Sequence, residues 1–177
     1  MQENRIDFTE ESNAIDYLEK AYYFLTLIKQ EPTNWKWVIL ALHGALYGFA
    51  ICALKGIHDD LVYSGKNSRV ESLDGTLRKC QNSQIMSRLI HSRPLVLTTS
   101  QKASIEKMTK DLRNPFAHYE PGIWIILTEG LPHILNDVLD VILFLAIKTG
   151  TNSHVALKRR EIERLIGDCK AALKEIN

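Results

Sequence analysis

The longest apolar stretch of the chain, Trp35 to Lys55, is the feature that most constrains the fold. From Val38 to Leu54 it is interrupted only by one histidine, one tyrosine and two glycines. Such a run is either a membrane span or the central helix of a soluble protein. It falls short of the about 20 apolar residues that cross a bilayer core, and the sequence holds no second span to pack against it. We therefore expect a buried core helix and no membrane insertion.

Small residues on this helix predict close packing. Gly44 and Gly48 lie one turn apart, among further small residues, so the backbone of another helix can approach this face. His43 and Tyr47 are also one turn apart. They either reach into a cleft or form a buried histidine bonded to a neighbouring group, which is the commoner arrangement, and we leave them out of the catalytic set.

Helical spacing of apolar residues recurs along the rest of the chain and predicts an all-α protein. Thr9 or Ser12 is available to cap the first helix. Ile123 to Leu127 is either extended or an irregular turn, and Tyr63 to Ser68 reads as a loop. At 177 residues, the chain fits one domain, residues 1–177, built as an up-and-down helical bundle with an additional C-terminal helix. The predicted helices are Thr9 to Gln30, Trp35 to Lys55, Ser72 to Lys79, Ser83 to His91, Ser100 to Arg113, Leu131 to Lys148 and His154 to Ile176.

Charge and cysteine content narrow the functional classes. A formal net charge of +1 predicts no broad attraction to nucleic acid, so RNA binding has to use a local patch or a cleft between two copies. Cys52, Cys80 and Cys169 are too far apart for a zinc site and odd in number, which indicates free thiols in a reducing compartment. The amino terminus has no signal pattern, and we expect a cytoplasmic protein.

One alternative site is a metal centre at His58, Asp59 and Asp60. A histidine–aspartate phosphohydrolase centre needs further ligands from neighbouring helices, and the other histidines and aspartates have no spacing that supplies them. We interpret this group as a solvated helix end or loop, and we expect no metal and no cofactor.

The residues that suggest a chemical reaction lie between Asp111 and Tyr119. On an unbroken helix Arg113 and His118 would lie roughly 140° apart and could not share a ligand. Pro115 disfavours helix at Asn114, so the sequence predicts that one helix ends near Arg113. Asn114 then caps a new turn with Pro115 at its first position. The two helix ends would bring the arginine and the histidine to one small volume.

This pair suits phosphodiester chemistry in RNA without a metal. Arginine offers a planar fork of donors for phosphate, and histidine can accept or donate a proton near neutral pH. Lys107 and Lys110 precede Arg113 at intervals of three and either bind RNA phosphates or complement the helix carboxyl end. The alternative for the whole group is structural: a helix-dipole arginine, an asparagine cap and a turn histidine.

The motif Arg113, Asn114 and His118, with four residues between the arginine and the histidine, resembles that of the HEPN superfamily of small helical domains. The resemblance implies a metal-independent endoribonuclease of HEPN fold, in which Arg113 and His118 are catalytic and Asn114 orients them. It also implies a homodimer whose motifs meet in a cleft, and a toxin or phage-defence role with a cognate antitoxin. One subgroup carries a modified tyrosine two places after the histidine, where this chain has Glu120, so that regulation is not expected.

Two other hypotheses remain open. The first is a non-catalytic HEPN-like module that binds a nucleotide, an RNA or a partner protein through the same cleft. The second is a helical interaction protein whose Gly44 and Gly48 face pairs with a partner.

Overall fold

A computed structural model describes residues 5–65, 69–88, 91–119, 121–151 and 158–176. This part of the chain is mostly helical, and the prediction of an all-α helical bundle is confirmed. The elements in chain order are α1 (Glu10–Leu27), a 3₁₀ turn (Pro32–Asn34), α2 (Trp35–Lys55), a second 3₁₀ turn (Asp59–Val62), β1 (Tyr63–Ser64), β2 (Arg69–Val70), α3 (Leu73–Gln81), α4 (Ser83–Met86), α5 (Thr99–Lys107), a π-helical segment (Met108–Arg113), α6 (Asn114–His118), α7 (Leu131–Leu143), a second π-helical segment (Phe144–Lys148) and α8 (Arg159–Ile176).

The first helix begins where the sequence places a cap. The Thr9 hydroxyl accepts a hydrogen bond from the Ser12 backbone, and the Ser12 hydroxyl accepts one from the Thr9 backbone. This reciprocal pair satisfies two amide groups that the helix itself leaves unpaired. α1 ends at Leu27, three residues before the predicted Gln30, whereas α2 has the predicted bounds.

Close packing of α1 on α2 confirms the prediction for the glycine face. A Cβ added at Gly44 would lie 2.6 Å from the Tyr17 ring, and one added at Gly48 would lie 2.7 Å from the Ala14 Cβ. The helices run antiparallel, with Glu10 of α1 paired to Lys55 at the far end of α2. The lack of a Cβ at these two glycines therefore sets the distance between the helices.

The helix α2 is the centre of the core. Leu42, Leu46 and Phe49 are fully buried, and α2 packs against α1, α3 and α7. Among the described residues, Pro32–Lys55 is the one segment long and apolar enough to cross a membrane, and 67% of its most apolar window is buried inside the fold. That burial is consistent with a soluble protein.

Several predicted boundaries are wrong in detail. Tyr63 and Ser64 pair with Val70 and Arg69 in a two-stranded antiparallel ladder, where a loop was predicted. α4 ends at Met86 instead of near His91, and α8 is described from Arg159, so that the predicted start at His154 lies outside the described residues. Residues 123–127 belong to no helix or strand.

Candidate functional site

The motif lies on a continuous helical path, so the predicted break at Pro115 is wrong. Asn114 has helical dihedral angles, φ −60° and ψ −44°, and its backbone N–H donates to the carbonyl of Thr109, five residues earlier. Proline normally conflicts with the carbonyl four residues before it. The π-helical segment adds a residue to the turn just before Pro115, and the chain stays helical through the proline.

Asn114 does not cap the helix α6 as the sequence predicted. Its backbone is helical instead of extended, and no side chain forms a cap hydrogen bond at the start of α6. Its side-chain oxygen instead accepts a hydrogen bond from Arg113 Nη1 at 3.0 Å. Asn114 therefore fixes the guanidinium directly.

Arg113 and His118 share one small volume, as predicted, although by a different backbone route. Arg113 Nη1 lies 3.4 Å from His118 Nε2. α6 ends at His118 because Tyr119 adopts a left-handed conformation, φ 51°, which is uncommon for a residue other than glycine. The histidine is consequently on the last turn, exposed to solvent, and within reach of the long arginine side chain.

A hydrogen bond between Arg113 and His118 requires one particular protonation state of the histidine. A guanidinium has donors and no acceptor, so a hydrogen bond between these groups requires an unprotonated His118 Nε2 and a proton on Nδ1. At 3.4 Å this bond is long and weak. Breaking this hydrogen bond therefore costs little free energy, and His118 Nε2 is available to accept a hydrogen bond from a stronger donor.

Arg113 also lines a cleft of about 730 Å³ that runs along the seam between α1 and α2. Its walls carry both aromatic and charged side chains, including those of Tyr17, Lys20, Trp37 and His43. The cleft thus adjoins the motif and offers surfaces for a flat ring and for a charge.

His43 is the group in this cleft that sequence reasoning set aside. Its ring is buried and lines the cleft. Burial, and secondly the charge of Arg113, lower the pKa of His43 to about 4. The ring is therefore neutral at physiological pH. The sequence feature that could have identified His43 as a cleft residue is its position beside Gly44, on the part of α2 that packs against α1.

Tyr47, which was set aside with His43, is held by the fold. Its hydroxyl donates to the backbone carbonyl of Glu71, and burial, followed by the charge of Glu71, raises its pKa. Glu71 is in turn paired with Lys79 at 3.1 Å. We assign Tyr47 to anchoring the segment before α3 on α2.

The two lysines predicted to bind RNA lie away from the cleft of Arg113. Lys110 is exposed, pairs with Glu106 at 2.7 Å and lines a separate cavity of about 520 Å³ beside α3. Lys107 is exposed and lines neither cavity. The π-helical segment explains this separation, because residues three apart no longer follow one another down the same face.

A serine, a histidine and an aspartate also meet between α5 and α7, but not as a nucleophilic triad. Ser100 and Ser104 donate directly to Asp137 Oδ2, at 2.6 and 2.7 Å. His133 Nε2 faces both Ser100, at 3.2 Å, and Asp137, at 3.7 Å, so the ring does not bridge the two through its separate nitrogens. The cluster ties the two helices together.

His58 likewise has a local role. Its Nδ1 accepts a hydrogen bond from the Asp60 backbone and caps the second 3₁₀ turn. Within the described ranges, no group of three or more histidine, cysteine, aspartate or glutamate side chains is placed to hold a metal ion.

No family model matches the chain, and neither a curated protein nor a solved structure matches it. Evidence on function consequently comes from the contacts of Arg113, Asn114 and His118.

Proposed function

We propose that the protein is a HEPN-like endoribonuclease that cleaves RNA without a metal, using Arg113 and His118. The observation that carries the proposal is the contact of an exposed imidazole with a guanidinium that Asn114 holds in place. One group can move a proton and the other can bind a phosphate, and they lie side by side at an accessible helix end.

In the proposed reaction, His118 Nε2 leaves Arg113 and accepts the proton of a ribose 2′-hydroxyl. The 2′-oxygen then forms a bond to the adjacent phosphorus, and the bond from phosphorus to the 5′-oxygen breaks. The 5′-oxygen takes up a proton, so the products are a 2′,3′-cyclic phosphate and a 5′-hydroxyl. Arg113 stabilises the charge that develops on the phosphate oxygens.

We propose that the active form is a homodimer. Tyr119, Ile123, Ile125 and Leu127 follow the motif and are between 77% and 93% exposed, an apolar stripe that burial against a second copy would stabilise. A two-fold interface places the same patch of each copy together, so the two motifs would face one another across the axis. The partner's His118 could then supply the proton that the 5′-oxygen needs.

The biological setting follows from the same proposal. The three cysteines, Cys52, Cys80 and Cys169, are buried free thiols, which agrees with a reducing cytoplasm. The resemblance to the HEPN superfamily further implies a toxin or phage-defence component with a cognate antitoxin. Lys107 and Lys110 remain candidates for binding RNA beyond the scissile phosphate.

Incubation of purified protein with RNA in EDTA tests the proposal. We expect fragments that end in 2′,3′-cyclic phosphate, and a rate about 10²- to 10⁴-fold lower in His118→Ala, the usual contribution of general acid–base catalysis. His133→Ala, which removes another exposed histidine, is the matched control and should keep full activity. Cleavage that persists in His118→Ala would contradict the assignment.

A second candidate is a non-catalytic module of the same fold. The mixed aromatic and charged lining of the cleft favours it, because that lining suits a nucleotide, an RNA or a partner protein whether or not chemistry follows. Tight RNA binding by the wild-type protein, with no cleavage under any buffer condition, would favour this alternative.

A further inference from the structure

Two aromatic rings from different helices face the same point beside the motif. The Lys36 ammonium lies over the Trp37 ring, 4.8 Å from its centroid, and over the Phe116 ring, 5.7 Å from its centroid. Trp37 belongs to α2 and Phe116 to α6, so the fold places both rings near one flexible side chain. We call Trp37, Phe116 and the space between them the aromatic slot.

Each wall of the aromatic slot is braced by another ring. Phe24 stacks on Trp37 with centroids 5.9 Å apart and planes at 25°. Trp124 packs edge-on against Phe116, also at 5.9 Å, with planes at 78°. Rings held in this way cannot turn freely, so a ligand that enters the slot loses little energy in ordering them.

The slot is also accessible. Trp37 is 46% exposed and Phe116 is partly exposed, whereas the neighbouring Trp35 is 4% exposed. A tryptophan that only fills the core would be covered like Trp35. The fold instead leaves a face of large aromatic rings in contact with solvent, where a flat ligand can reach it.

The slot adjoins the charged groups of the candidate site. Phe116 lies between Arg113 and His118 in the sequence, and Trp37 lines the same cleft as Arg113. A ligand that spans both regions needs a flat ring for the slot and an anion for the guanidinium. Single-stranded RNA has both, since each unpaired base is followed by a phosphate.

We infer that the aromatic slot binds one unpaired base of single-stranded RNA next to the phosphate held by Arg113. On entry the base takes the place of the Lys36 ammonium, which moves to a neighbouring phosphate. Stacking of a base on an aromatic ring is generally stronger than an exposed cation–π contact, and Lys36 gains an ion pair. This inference rests on the proposed function and adds a selectivity for unpaired RNA.

The test measures binding to the His118→Ala protein, so that cleavage does not interfere. A short fluorescein-labelled single-stranded RNA is titrated with His118→Ala alone and with His118→Ala carrying Trp37→Ala, Trp37→Phe or Phe8→Ala. Phe8 is a matched control because it is 64% exposed and precedes α1, at the end opposite Phe24. Circular dichroism checks that each variant is folded.

We expect Trp37→Ala to weaken binding roughly tenfold or more, as removal of a stacking ring usually does. Trp37→Phe should restore most of the affinity and Phe8→Ala should change nothing. A fully paired RNA duplex should compete poorly, because its bases are already stacked. Three results would refute RNA binding in the aromatic slot: equal binding by the Trp37→Ala and parent proteins, equal affinity for the duplex, or no RNA binding at all.

The two proposals fail separately. Binding that depends on Trp37 in a protein that never cleaves RNA would refute the ribonuclease assignment and support the slot. Cleavage that depends on His118 together with binding that ignores Trp37 would do the opposite.

Discussion

The α1–α2 hairpin and the motif segment, residues 108–119, show two ways in which this sequence determines structure. In the hairpin, side-chain size sets the geometry, as where Gly48 lets Ala14 approach. In the motif segment, a backbone irregularity sets it: a π-helical turn precedes Pro115, and Tyr119 ends the helix in a left-handed conformation. Packing within the hairpin stabilises the fold, whereas the motif segment presents exposed groups that can react.

This difference predicts separate effects of substitution in the two regions. Changes at the exposed motif should alter activity with little effect on unfolding, because His118 is at the surface. Changes in the hairpin should alter unfolding first.

Arg113→Ala should slow RNA cleavage strongly. Loss of one group that stabilises the developing charge usually lowers the rate about 10²- to 10³-fold. Arg113→Lys should recover only part of the rate, since an ammonium lacks the planar fork. Initial rates on a defined RNA measure both, and thermal unfolding midpoints should stay close to that of the wild type. A large fall in the midpoint would mean that Arg113 is mainly structural.

Acidification should destabilise the protein through His43, one of the titratable groups of the cleft. Its folded pKa, about 4, lies below its ordinary value of 6.5, so the unfolded chain binds the additional proton between these values. Stability from this residue is therefore complete above pH 6.5 and is lost as the pH falls to 4, about 3 kcal/mol in all.

Urea unfolding of wild type and His43→Leu at a series of pH values measures this loss. The wild type should lose about 3 kcal/mol more than the variant between pH 7 and pH 4. Arg113→Ala should reduce the loss, because its charge helps to lower the pKa of His43. Parallel pH profiles for wild type and His43→Leu would refute the assignment.

Gly48→Ala should destabilise the hairpin by about 1–2 kcal/mol, because its Cβ would overlap Ala14 and force the helices apart. Gly167→Ala is the matched control in α8, where a Cβ would meet nothing within 4 Å. That change should stabilise the protein by roughly 0.5–1 kcal/mol, since alanine favours helix. Chemical denaturation measures both, and equal effects at the two glycines would contradict the packing account.

The same contrast explains what the sequence could predict. The bounds of α2 and the Thr9 cap follow from local patterns, namely an apolar run and a hydroxyl before a helix. The proximity of Arg113 and His118 was predicted from Pro115, but through a break that does not exist. A π-helical turn has no residue signature comparable to a cap, so the proline was interpreted by its usual effect.

Tertiary neighbours account for the rest. His43 lines the cleft because α1 and the π-helical segment that holds Arg113 pack around α2. Lys36 lies over both Trp37 and Phe116, although these two rings are far apart in the sequence. Lys110 was placed with Arg113 by its spacing, and the π-helical turn separates them. None of these positions is readable from a local pattern, because each depends on how distant segments meet.

A double-variant experiment tests the joint action of Arg113 and His118 most directly. RNA cleavage rates are measured for wild type, Arg113→Ala, His118→Ala and the double variant. Groups that act as one unit give strongly non-additive losses, so the double variant should be about as slow as His118→Ala alone. Losses that simply multiply, or a double variant that still cleaves RNA at the wild-type rate, would contradict the account.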